Sequence, residues 1–161
     1  MTKDEYWKNY TSEELATNHS DKFDEWWDAT KFDWKQCSCH LAAFCSRDFN
    51  KWWDSEKFNW ESYSYSLACY CNNYFDNWWN PELFNWDNGS VELAVCCSNH
   101  FNKWWDPDKF DWEKYSGALA EHCFEHFNKW WNVEKYNADH IKYLEEHCAD
   151  HTHIWREIYF Y

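Results

Sequence analysis

Aliphatic bulk is what this chain has least of: Leu, Ile, Val and Phe together make up 25 of its 161 residues. With a net charge of −14, that shortage is the composition of a disordered chain. Disorder is nevertheless excluded, because 16 Trp and 11 Tyr add rings that each bury roughly 150–250 Å². The length suits a single domain, residues 1–161, with an aromatic core. Basic residues are also short, 15 Lys and Arg against 29 Asp and Glu. That balance opposes nucleic acid and anionic membranes, whose binding needs clustered positive charge.

Long apolar runs are missing. No 18-residue apolar segment occurs, and the opening "MTKDEYWKNY" lacks the apolar stretch of a signal peptide. The expectation is a non-exported chain in the cytoplasm. Its nine Cys, an odd number, are then expected to be reduced thiols, not a secreted disulfide framework. Alternation at period two is absent, which excludes strands. No P-loop, dinucleotide fingerprint, HExxH or paired-carboxylate site departs from the general pattern, so a non-enzyme is expected.

What is present is repetition. Paired tryptophans stand at 26/27, 52/53, 78/79, 104/105 and 130/131, a period of 26 residues without insertion. Columns of Leu (15, 41, 67, 93, 119), Ser (12, 38, 64, 90, 116) and Cys (45, 71, 97, 123) keep the same phase. The chain divides into units 2–27, 28–53, 54–79, 80–105, 106–131 and a 25-residue unit 132–156, followed by the tail 157–161. In one unit Trp112, Tyr115, Leu119, Ala120 and Cys123 form a helical apolar stripe. Asp33, Asn59, Asn85 and Asp111 are its predicted N-caps. A second start signal, with Pro81 or Pro107 at the first helical position, predicts a segment of about one turn, and Phe127, Trp130 and Trp131 predict another short helix. These features predict an all-α solenoid of two or three short helices per unit, in which each ring column stacks on its own copy in the next unit.

The stretch "ALAEHCFEHFNKWWDPDK" resembles the leucine-rich-variant class of short helical repeats, which pair an "AxA" helix with a second helix ending before a "DP" turn. The resemblance implies architecture only. The period is 26 residues where that class has about 24, and Trp stands where Leu is expected.

Terminal units depart from the pattern: Lys8 and Ala138 replace the column Trp, and Arg156 replaces the second Trp of the pair. The tail, Ile158, Tyr159, Phe160 and Tyr161, begins a seventh copy, which could close the open end or accept another molecule head to tail.

Three chemistries compete with plain packing. The second indole of each pair, Trp53, Trp79, Trp105 and Trp131, is either core or an exposed platform for a partner or a glycan. The C-x-x-H pairs Cys123/His126 and Cys148/His151, with His147 and His153, put N and S ligands on one expected helical face; they could hold zinc if pairs converge between units. Otherwise the thiols are small buried groups; no cofactor is then needed. The column spacing, about 8–10 Å between helices, is too wide for a disulfide ladder. Asp28, Asp54 and Asp106 are caps or an acidic face for a basic segment. The functional expectation is a non-catalytic scaffold that holds a basic or apolar segment of another protein on an acidic, ring-bearing surface. A self-assembling element, or a metal or small-ligand binder, is the alternative.

Overall fold

A computed structural model describes residues 1–159, and these are all-helical, with no strand among them. They form two compact units, Met1–Phe84 and Asn85–Tyr161. In the first, α1 spans Lys3–Asn9, α2 Ser12–Asn18, α3 Phe23–Trp26, α4 Trp34–Phe44, α5 Phe49–Trp52, α6 Trp60–Tyr70 and α7 Phe75–Trp78. In the second, α8 spans Trp86–Cys96, α9 Phe101–Trp104, α10 Trp112–His122, α11 Phe127–Trp130, α12 Ile141–His147 and α13 Thr152–Tyr159. The 26-residue period is therefore a three-turn helix, a 3₁₀ turn, a one-turn helix and a tight turn. No helix among the described residues is long and apolar enough to cross a membrane.

Each long helix starts where an Asx side chain relieves an orphan amide of the first turn. Asp33 accepts from the Gln36 N–H at 3.0 Å, Asn59 from Ser62 at 3.1 Å and Asp111 from Lys114 at 3.1 Å. The second start signal gives one hydrogen-bonded turn instead of a helix. Asp54 and Asp106 accept through Oδ1 from the amide two residues on, and their carbonyls accept from Phe58 and Phe110. The next Asx cap follows at once, so the turn has no room to propagate.

Helix ends use no left-handed residue; none of the described residues has positive φ. The chain stops the helix at a Cys near φ −115° to −122° and tightens into a 3₁₀ turn. That leaves the Cys carbonyl buried, and it needs two donors. The Cys45 carbonyl accepts the Asp48 amide at 3.0 Å and the Trp52 indole N–H at 2.8 Å. The same pair of bonds recurs at Cys71, Cys97, Cys123 and Cys148, with Trp78, Trp104, Trp130 and Trp155 as donors. This explains Trp where a leucine would fill space: a buried carbonyl without donors costs about 1–3 kcal/mol, and Leu has no donor to offer.

Ring columns do not stack on their own copies as the period predicts. Trp53 lies flat on Phe49 at 5.2 Å and edge-on to Trp60 at 5.6 Å, all within one turn of chain. Phe101, Trp105 and Trp112 repeat the arrangement. Rings that meet between copies come from different columns, Tyr74 on Phe49, His126 on Phe101 and His151 on Phe127 at 4.6, 4.5 and 4.3 Å, and polar columns join the copies as well. Ser38 Oγ accepts the Asn59 N–H at 3.2 Å, Ser12 that of Asp33 at 2.8 Å and Ser116 that of Asn137 at 3.1 Å. The Sγ of Cys45, Cys71 and Cys123 donates to the carbonyls of Ala16, Ala42 and Ala94, 29 residues earlier, at 3.7–3.8 Å.

The outer copies depart for visible reasons. Lys8 cannot fill the Trp column, and the first long helix splits into α1 and α2, each opened by a Thr–Glu capping box. Trp7 and Tyr6 supply the missing rings; Trp7 donates to the Trp26 carbonyl at 2.7 Å, and Tyr6 OH to Glu25 at 2.8 Å. In residues 132–156 the one-residue deletion falls where Ala138–His140 forms a 3₁₀ turn. Three residues per 3₁₀ turn replace 3.6, which absorbs the deletion and returns Leu144 to the core. Of the expected closing tail, Ile158 is exposed, and Phe160 and Tyr161 lie outside the described residues.

Candidate functional site: the non-repeating helix face

Each long helix has one side that the repeat does not specify. On α4 it carries Gln36, Cys39, His40, Ala43 and Phe44; on α6, Ser62, Tyr65, Ser66, Cys69 and Tyr70; on α8, Asn88, Val91, Glu92, Val95 and Cys96; on α10, Lys114, Gly117, Ala118, Glu121 and His122. Positions three and four apart share a helical face, so each set is one strip. Because the copies are aligned with one another by the period itself, this variation is a property of one chain. Packing holds Leu, Ala, Cys and Trp constant in the other columns and makes no such demand here.

In Met1–Phe84 the strip on α4 and α6 contains no Asp, Glu, Lys or Arg, although the chain carries 29 acidic residues. Phe44 and Tyr70, one period apart, are 50% and 52% exposed, and the His40 ring lies parallel to Phe44 at 6.2 Å. Tyr65 is half-buried; burial and then the Cys39 thiol push its phenol up from its ordinary value. The strip is a neutral surface of rings and thiols. In Asn85–Tyr161 the strip is mixed, aliphatic at Val91, Val95 and Ala118 and charged at Glu92, Lys114 and Glu121, with Val95 44% exposed, and a cleft of about 220 Å³ opens between α8, α10 and α12. On α8, outside the cleft's lining, Glu92 Oε2 is buried without a hydrogen-bond partner, and burial raises its carboxyl above the ordinary carboxylate value.

The residues singled out from sequence lie elsewhere. Trp53, Trp79, Trp105 and Trp131 are half-buried, each with the Phe four positions earlier stacked on one face at 5.1–5.2 Å. They tie the short helix to the turn that follows.

The C-x-x-H pairs do not share a helical face, because α10 ends at His122 and α12 at His147, immediately before Cys123 and Cys148. The thiols of Cys123 and Cys148 donate to the carbonyls of Ala94 and Ala120 at 3.7 Å, and burial pushes both up to about 12. A metal ligand needs the thiolate, which that environment disfavours. His126 and His151 instead lie flat on Phe101 and Phe127, centroids 4.5 and 4.3 Å apart. Tyr74 does the same on Phe49 at 4.6 Å, so a flat ring serves in this column whether it is an imidazole or a phenol. Where Asp48 breaks that column, Lys51 bridges Asp48 and Asp24 at 2.8 Å each. His147 lies 3.8 Å from the Glu146 carboxylate, and His153 is exposed. Among the described residues no three His, Cys, Asp or Glu side chains form a metal-holding group. All nine cysteines stand outside any disulfide.

Asp28, Asp54 and Asp106 act as turn caps, as their position suggested. The outward strip was missed by sequence reasoning. Its signal was available as the columns in which six near-copies disagree. No family model, curated protein or solved structure matches the chain.

Proposed function

We propose that this chain is a non-catalytic repeat scaffold that binds an extended segment of another protein along the outward strip of α4 and α6. One observation carries the reading: in a strongly acidic chain, the strip on α4 and α6 presents exposed Phe44 and Tyr70 and itself carries no Asp, Glu, Lys or Arg, the charges nearby being Glu13, 3.7 Å from His40, and Asp21, Arg47 and Asp48 around Phe44. Exposed rings on a rigid frame are what a binding surface uses as anchors. The strip's neutrality favours an apolar segment over a basic one, since charge steering needs charge at the contact.

The test is a selection of random peptides displayed on phage against the full chain. Selected peptides should be rich in apolar residues, and Phe44→Ser with Tyr70→Ser should abolish their binding without loss of helix by circular dichroism. Peptides dominated by Lys and Arg, unaffected by those two changes, would overturn the reading.

A further inference from the structure

Of the long helices, α8 has the weakest beginning. Trp86 is followed by Asp87, Asn88, Gly89 and Ser90, all poor helix formers. At the same place α4 has Lys35 and Gln36, α6 has Glu61, and α10 has Glu113 and Lys114, which favour helix. The caps differ as well. Asp33, Asn59 and Asp111 accept from the amide three residues on, whereas Asn85 accepts from that of Asp87, two residues on, at 3.1 Å. Gly89 stands in the column of Cys37, Tyr63 and Tyr115. The Tyr63 phenol donates to the Gln36 carbonyl at 3.1 Å and so ties the start of α6 to α4; a glycine has no side chain for such a tie.

That weak turn holds the chain's single Asn–Gly pair. The Asn88 side chain is exposed, and with no Cβ on Gly89 its nitrogen can approach the Asn88 side-chain carbonyl carbon more closely than any other residue would allow. The helix keeps them from reacting. A five-membered imide between them fixes ψ of Asn88 away from the helical value of about −42°, so ring closure needs the first turn to open. Helix ends with little to hold them open at low cost.

We infer that Asn88–Gly89 is a site of spontaneous covalent modification, gated by opening of the first turn of α8. In the open turn the Gly89 nitrogen bonds to Asn88 Cγ, the Cγ–Nδ2 bond breaks, and the Gly89 amide proton leaves with Nδ2 as ammonia. Water then opens the imide. Cleavage at Cγ gives aspartate, and cleavage at the main-chain carbonyl gives isoaspartate. Aspartate suits the first turn, where the helix dipole favours negative charge. Isoaspartate routes the main chain through the side-chain carbon, and the i to i−4 ladder has no place for the extra atom. The Ser90 Oγ bond to the Trp86 carbonyl, 2.5 Å across that turn, is then lost. Modified chains divide into a form that keeps α8 whole and a form that loses its start, whatever the chain binds.

The test incubates the full chain and the capped hexapeptide Trp-Asp-Asn-Gly-Ser-Val at pH 8 and maps the gain of one dalton by peptide mass spectrometry. Asn88 should convert before Asn18, Asn72 or Asn99. It should react about tenfold more slowly in the chain than in the peptide, the ratio set by opening of a weak helix end. Gly89→Ala, which adds a Cβ and favours helix, should slow conversion at least about fivefold. Asn88→Gln, a better helix former at an exposed position, should keep the fold and remove the gain of mass at that site. The isoaspartyl fraction, separated by ion exchange, should melt at a lower temperature than the unmodified chain, whereas Asn88→Asp should melt with it. Conversion led by another Asn, conversion of Asn88 as fast in the chain as in the peptide, or an isoaspartyl form that melts like the unmodified chain would overturn the inference.

Discussion

Through α4, α6, α8 and α10 the inward column reads Leu41, Leu67, Leu93 and Leu119, each fully buried, whereas three positions on the outward column reads Phe44, Tyr70, Cys96 and His122. One helix thus carries a side on which every copy agrees and a side on which none do. The inward residues must fill fixed space and satisfy fixed backbone groups, while Phe44 and Tyr70, half exposed, are constrained by neither. Stability and recognition are in this way assigned to opposite sides of the same short element.

The comparison breaks most visibly at the first Trp of a pair. Trp52→Ala should destabilise the chain by about 3–5 kcal/mol, from the cavity and the lost carbonyl donor together. Phe44→Ala on the outward side should stay within about 0.5 kcal/mol. Urea unfolding of the two variants, side by side, measures the difference.

A smaller effect separates two serines of neighbouring copies. Ser38→Ala removes the hydroxyl that accepts the Asn59 amide, leaving a part-buried N–H unpaired; a loss of about 1–3 kcal/mol is expected. Ser62→Ala, at an exposed position, should leave the midpoint in place. Equal losses would show that the serine column does not join the copies.

Glu92 sharpens the contrast from the other direction, since it is a partly buried carboxyl on the outward side. Its folded-state pKa is raised by burial, so the folded state favours the protonated form. That contribution is fully present below the unfolded carboxylate value of about 4.3 and is lost as pH rises through the higher folded value. Glu92→Ala, which copies Ala118 of the same column, should stabilise the chain by about 1 kcal/mol at pH 7. The gain should vanish below about pH 4. A pH-independent difference in melting would contradict the assignment.

The smallest effect is kinetic. Iodoacetamide at pH 8 should label the half-buried Cys39, Cys69 and Cys96 before Cys45, Cys71, Cys123 and Cys148, whose burial pushes the thiols up to about 12. Mass spectrometry gives the order directly.

Much of the fold was legible because its signals are local. The Asx caps, the long-helix stripe beginning at Trp112 and the short helix at Phe127 follow from periodicity and first-turn chemistry. What the copies use to hold one another was not legible. Spacing alone suggests that each ring column stacks on its own copy, whereas the rings that meet between copies come from different columns, Tyr74 on Phe49, His126 on Phe101 and His151 on Phe127. Ser38, Cys71 and Tyr74 make the joints through hydroxyl, thiol and face contacts that no period announces. The C-x-x-H pairs misled because spacing was read along an unbroken helix, and the helix ends just before the Cys. The outward strip escaped notice because a search for repeated features passes over the columns that do not repeat.

The most direct test of this division is urea unfolding of the chain carrying both Phe44→Ser and Tyr70→Ser, followed by titration with a selected peptide. The unfolding midpoint and slope should match those of the unaltered chain, within about 1 kcal/mol for two exposed substitutions, while peptide binding is lost. A midpoint that falls as far as that of Trp52→Ala, or binding that survives, would contradict it.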